Sequence, residues 1–134
     1  ELFEEFIFPY QQSIARNFAK IYYGCCEPVN NRWHVLRRIE NLARVSVSPW
    51  ADEAFMAEAC GTKYVYSRKP SPTQISTGKF DEAAIRNDLR RTLDVTGRHG
   101  CRTELIMKDV HTLHNEPDRL ARWVQLAREE IGRQ

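Results

Sequence analysis

Four short segments of this 134-residue chain concentrate thiols, carboxylates, cations and an imidazole: Gly24-Cys25-Cys26-Glu27-Pro28, Ser46-Val47-Ser48-Pro49-Trp50, Ser67-Arg68-Lys69-Pro70 and Lys108-Asp109-Val110-His111-Thr112. Residues two apart in an extended backbone share a face, so Cys25 and Glu27 are expected to point one way and Cys26 the other. A thiolate and a carboxylate at one strand end are two of the ligands that zinc accepts, and His111 is the candidate third. The same residues also fit a plainer reading, two packed thiols and a carboxylate that closes a turn. Asp109 lies two residues before His111, a spacing that can hold an imidazole as a general base or as a metal ligand; these are the candidate catalytic residues. Arg68 and Lys69 read as a receptor for an anionic substrate or cofactor group, or as solvated cations paired with Glu27 or Asp109. Ser48 and Trp50 offer a small polar wall and an aromatic surface, Trp50 alternatively packing at a rim, and Lys108 completes the candidate substrate contacts. His34, His99 and His114 lack such company and read as surface or packing residues.

Each cluster ends a short apolar run and is followed by an amphipathic stretch. That order predicts strands over 20–25, 43–48, 64–67 and 102–107, with helices between them. Strand, polar loop and helix in repetition predict an α/β fold with parallel strands, and such folds place their sites at the carboxyl ends of the strands. The clusters therefore belong to one site. Four such units could close as a small domain or equally form half of a (β/α)8 barrel; because the chain opens directly in a helical pattern without a leading strand, 1–134 is read as one partial domain.

The helices carry their own signals. Residues 1–19 repeat Leu2, Phe3, Phe6, Ile7, Tyr10, Ile14 and Phe18 at helical spacing, interrupted near Phe8 by Pro9. Asn31 is a candidate cap for a helix with Trp33, Val35, Leu36 and Ile39, and Asp52 for one that Gly61 ends. A loop is predicted from Lys69 to Lys79. From Phe80 and Asp81 a helix sets Ala84, Ile85, Leu89 and Leu93 against Arg86, Arg90 and Arg91. The last helix opens at Asn115-Glu116-Pro117 with Leu120, Trp123, Val124, Leu126, Ala127 and Ile131 as its buried stripe.

A formal charge of +2, with basic residues interspersed among acids, argues against nucleic acid as a partner. No run has the length of a membrane span and no signal-peptide pattern opens the chain. Cys25, Cys26, Cys60 and Cys101 do not space themselves as a disulfide framework, which points to a reducing cytoplasm.

The opening Glu1-Leu2-Phe3-Glu4-Glu5-Phe6 through Pro9-Tyr10, the run Tyr23-Gly24-Cys25-Cys26-Glu27-Pro28, Val45-Ser46-Val47-Ser48-Pro49-Trp50, and Leu105-Ile106-Met107-Lys108-Asp109-Val110-His111-Thr112 resemble, in order and spacing, the C-terminal half of the uroporphyrinogen decarboxylase superfamily. The resemblance extends over essentially the whole chain. It implies the C-terminal half of a (β/α)8 TIM-type barrel, four parallel strands alternating with helices. It also implies one of that superfamily's chemistries: tetrapyrrole decarboxylation, or zinc-dependent methyl transfer with a corrinoid protein as methyl donor. In the methyltransferases a strand-end His-x-Cys and a later Cys bind zinc. Here the first cysteine falls on Cys25, the histidine position is Tyr23, and the later cysteine falls near Val110 or His111. The implied metal set becomes Cys25, Glu27 and His111, activating a thiol, with Arg68 and Lys69 on an anionic part of acceptor or corrinoid. A tetrapyrrole decarboxylase with Arg68 and Lys69 on substrate carboxylates is the second expectation, and a non-catalytic barrel that binds a corrinoid or a partner protein is the third.

Overall fold

A computed structural model describes residues 1–24 and 26–133. Its centre is one four-stranded sheet: β1 (Ile21–Tyr23), β2 (Leu42–Val47), β3 (Val65–Arg68) and β4 (Arg102–Leu105). All neighbours pair parallel, and the spatial order β1-β2-β3-β4 repeats the chain order. Helices alternate with these strands, so the mixed α/β reading with four parallel strands in one sheet holds, an arrangement consistent with half of a barrel.

The helical elements are α1 (Phe8–Ala15), preceded by a π-helical turn over Phe3–Ile7; α2 (Trp33–Leu36), preceded by a 3-10 turn over Asn30–Arg32; α3 (Glu53–Cys60); α4 (Thr73–Ser76); α5 (Glu82–Arg98); and α6 (Asp118–Ile131). Asp52 and Asp81 cap α3 and α5, accepting hydrogen bonds from the backbone amides of Phe55 and Ala84, each at 3.0 Å. Gly61, at φ 43°, ends α3 as expected.

Alternation along the strands decides what each face does. Val45, Val47 and Tyr66 turn toward the helices and join Trp33, Val35, Leu36, Met56, Ala57 and Cys60 in the main core. A second core under α5 and α6 gathers Ile75, Ile85, Leu89, Trp123, Leu126 and Ala127. The opposite face is polar. There Tyr22, Arg44, Ser46, Ser67 and Glu104 come together through a Tyr22–Ser67 hydrogen bond of 2.7 Å and an Arg44–Glu104 ion pair of 3.2 Å.

Several expectations change. Asn31 lies inside the 3-10 turn and does not cap α2, whose first residue follows Arg32 without a side-chain cap. The stretch 69–79 contains α4, where a loop was expected. β1 and β4 are shorter than their apolar runs. Leu120, Val124 and Ile131 are exposed on α6, while Arg119 and Glu130 are buried in their place. The reason is pairing. The Arg119 guanidinium donates to the carbonyls of Ile75, Thr77 and Gly78 and to Glu116, and Glu130 accepts from Arg86, Arg90 and Arg133. A buried ion is tolerated when it is paired and hydrogen-bonded; the Arg119 Nη atoms meet that condition, while its buried Nε has no hydrogen-bond partner among the described residues. No helix among the described residues is long and apolar enough to cross a membrane.

Candidate functional site

Residues after all four strands line one small cleft of about 80 Å3: Cys26 beyond β1, Pro49 and Trp50 beyond β2, Lys69, Pro70 and Pro72 beyond β3, and Lys108 and Asp109 beyond β4. Of the residues singled out in the sequence, Trp50, Lys69, Lys108 and Asp109 thus converge at the carboxyl end of the sheet.

The first and last strands are tied together at this cleft. The Cys26 thiol donates to Asp109 Oδ2 at 3.1 Å, Lys108 Nζ approaches Cys26 Sγ at 3.0 Å, and Lys108 pairs with Asp109 at 3.2 Å. These contacts bridge more than 80 residues of chain. The Cys26 contact, with the hydrogen bond and charge of Lys108 and the charge of His111, holds the Asp109 carboxyl below its usual range despite some desolvation. Asp109 is left-handed, at φ 58°, an uncommon conformation for a residue with a Cβ. Gly24 lets the cysteine loop form: at φ 110° it passes so near β2 that a Cβ there would lie 2.9 Å from the Cβ of Ser46.

Cys26 also borders a second, larger recess of about 1000 Å3, open to solvent and walled by Leu2, Phe3, Phe6, Ile7, Tyr23 and Val29 among others. An apolar space of that size suits a large organic ligand.

The other candidate residues are placed differently. Cys25 lies outside the described residues. Glu27 is exposed and pairs with Arg32 at 3.1 Å. His111 is exposed and acts on Asp109 through its charge. Ser48 is fully buried, its hydroxyl accepting from the backbone amide of Trp50 at 3.3 Å. Arg68 points away from the cleft to the helix-covered face, 2% exposed, and pairs with Glu53 at 2.8 Å and Asp88 at 3.7 Å while donating to Thr92 at 3.2 Å. Its guanidinium ties β3 to α3 and α5. Cys60 is buried, which pushes its thiol up to about 12 with a smaller push from Cys101; Cys101 is half-buried and donates to the carbonyl of Ala57 at 3.2 Å.

Of the expected zinc set, Glu27 and His111 are the members among the described residues, and Cys25 lies outside them. Among the described residues no three of His, Cys, Asp and Glu converge on a point, and the Lys108 ammonium occupies the position beside Cys26 and Asp109 that a cation would take.

Sequence reasoning assigned no role to Cys26, Tyr22 or Ser67. The alternation that put Cys26 opposite Cys25 and Glu27 was the available signal for the first. For the others the signal was the parallel register, which sets Ser46 beside Ser67 and Tyr22 beside Arg44. No protein family, curated protein or solved structure matches the chain.

Proposed function

We propose that the chain is the C-terminal half of a uroporphyrinogen decarboxylase-like (β/α)8 barrel and that it transfers a methyl group in corrinoid-linked metabolism, with the Cys26 sulfur as the reacting thiol. The observation that carries this reading is the position of Cys26, on the wall shared by the polar strand-end cleft and the apolar recess of about 1000 Å3. The recess has the volume for part of a corrinoid presented by a partner protein, and the cleft supplies the polar groups. Lys108 stabilises a sulfur that becomes negative, and Asp109 aligns the thiol. A methyl corrinoid presented there would supply an electrophilic methyl carbon and keep the bonding electron pair; Cys26 is placed to offer its sulfur to that carbon, with Lys108 beside the thiolate. The thiol proton goes to solvent at the exposed Asp109 edge; an acceptor thiolate would then attack the sulfur-bound methyl carbon, breaking its bond to Cys26, which leaves as a thiolate beside Lys108.

The test is demethylation of methylcobalamin by the purified protein, followed by the cobalamin absorption spectrum, with metal content measured in the same preparation. C26S and K108M should each slow the reaction by about tenfold or more, 1.4 kcal/mol of barrier. Full activity in C26S overturns the reading. Stoichiometric zinc that is lost in Cys25→Ser would restore Cys25, Glu27 and His111 as ligands.

A metal-free decarboxylase of a carboxylated tetrapyrrole is favoured by a separate observation. Lys69 is 5% exposed, and its ammonium donates to two neutral hydroxyls, those of Ser67 and Tyr22, so a substrate carboxylate would complement its charge. Turnover of uroporphyrinogen without added metal, lost in K69M, supports this second reading.

A further inference from the structure

The polar face of the sheet carries a cluster that neither reading uses as a unit. Lys69 Nζ donates to Ser67 Oγ at 2.7 Å and to the Tyr22 hydroxyl, and the Tyr22 hydroxyl shares a hydrogen bond with Ser67 Oγ at 2.7 Å. The same ammonium sits 5.0 Å from the centre of the Tyr22 ring. Lys69 is held from behind, its backbone amide donating to the carbonyl of Val47 at 2.8 Å, and its side chain borders the strand-end cleft. Tyr22 is 45% exposed, so a phenol fixed by buried partners presents itself to solvent.

We propose that Tyr22 is an acid–base residue of this site, its phenol giving a proton to a substrate carbonyl oxygen as that oxygen gains negative charge, with Lys69 stabilising the phenolate and Ser67 aiming the hydroxyl. In the step the Tyr22 O–H bond breaks and an O–H bond forms on the substrate. The electron pair remains on the phenolate beside the ammonium until solvent returns a proton. A buried ammonium whose described partners are neutral hydroxyls gains most when one of them becomes an anion. The electrostatics agree: burial alone would raise the Tyr22 phenol, but the Lys69 hydrogen bond, then Ser67, the Lys69 charge and Ser46 outweigh it and bring it below its ordinary range. The other charged groups facing Tyr22 are Arg44, 5.5 Å from the ring centre, and Glu104, which Arg44 neutralises.

The experiment is nitration of the protein with tetranitromethane at mildly alkaline pH, a reagent that attacks phenolates, with sites and rates read by peptide mass spectrometry. Tyr10, 72% exposed, is the internal reference. Tyr22 should react several-fold faster than Tyr10 despite its lower exposure. K69M should drop it below Tyr10, K69R should largely preserve its lead, and the pH at which reaction sets in should rise only in K69M. A Tyr22 that lags Tyr10 in the wild-type protein overturns the proposal, and so does a lead that survives K69M. Should K69M not fold, the wild-type order and the K69R profile decide it alone. None of these readouts involves methyl transfer, so their outcome is separate from that of the proposed function.

Discussion

Replacing Arg68 with methionine separates a fold-holding cation from a substrate-binding one. The guanidinium is 2% exposed and meets Glu53 and Asp88, whose side chains are 14% and 19% exposed. Breaking a buried pair by removing one partner costs about 3–5 kcal/mol, because the other charge stays buried. Here Arg91 also contacts both carboxylates and Thr92 donates to Glu53 at 2.7 Å, so the loss falls at the low end, about 3 kcal/mol. With an unfolding entropy of about 2.1 cal/mol/K per residue over 134 residues, that lowers Tm by about 10 °C. Thermal melts followed by circular dichroism measure it directly. Adding Glu53→Gln should recover part of the loss, because one stranded charge disappears with its partner. Below the melting transition the alkylation rate of Cys26 should be unchanged, since Arg68 faces away from the cleft. A Tm within about 3 °C of wild type, under 1 kcal/mol, would refute the structural role, and a specific loss of anion binding in folded R68M would return Arg68 to the site.

Two further outcomes follow from the geometry. Gly24→Ala should both destabilise the protein, by about 1 kcal/mol or more from its left-handed backbone, and change the Cys26 alkylation rate, since its Cβ would meet Ser46; an unaltered rate would separate the glycine from the site. The Glu130 carboxyl is held at about 2, against 4.5 ordinarily, by hydrogen bonds from Arg90 and Arg86 and the charge of Arg133, against an opposing desolvation effect. A folded-state value that is depressed contributes stability above the ordinary value and loses it as pH falls toward the lower one. Stability should therefore decline between about pH 4.5 and 2, and Glu130→Gln should flatten that limb of a pH series of urea titrations.

The sequence was most legible where local chemistry decides structure. Asp52 caps α3 as expected because its short acidic side chain reaches the amide of Phe55 three residues on, and the apolar and arginine-rich sides of α5 follow from spacing alone. The repeated order of strand, polar loop and helix placed the carboxyl-end clusters together, and Trp50, Lys69, Lys108 and Asp109 meet there. Charged residues whose partners lie far along the chain were misread. Glu130 is buried because arginines 40 and 44 residues away reach it, and no local pattern on α6 announces that. Arg68 was grouped with Lys69 by adjacency, although alternation sends neighbouring side chains to opposite faces. Applied strictly, it would have assigned Lys69 to the open face with Ser67 and Arg68 to the helices. Tyr22 needed the register between strands, which one sequence does not contain.

Because spatial order copies chain order, most of the sheet assembles between near neighbours: Ile21 pairs with Leu42, Arg44 with Val65, and Val65 with Arg102. The bonds joining Cys26 to Lys108 and Asp109 span 82 and 83 residues, and closing a longer loop costs more chain entropy. The Cys26 sulfur thus gains Lys108 and Asp109 as neighbours only when the segment after β4 meets the loop after β1. Because its walls come from residues beyond all four strands, the cleft is complete only when the whole sheet is docked, and its formation reports on that docking.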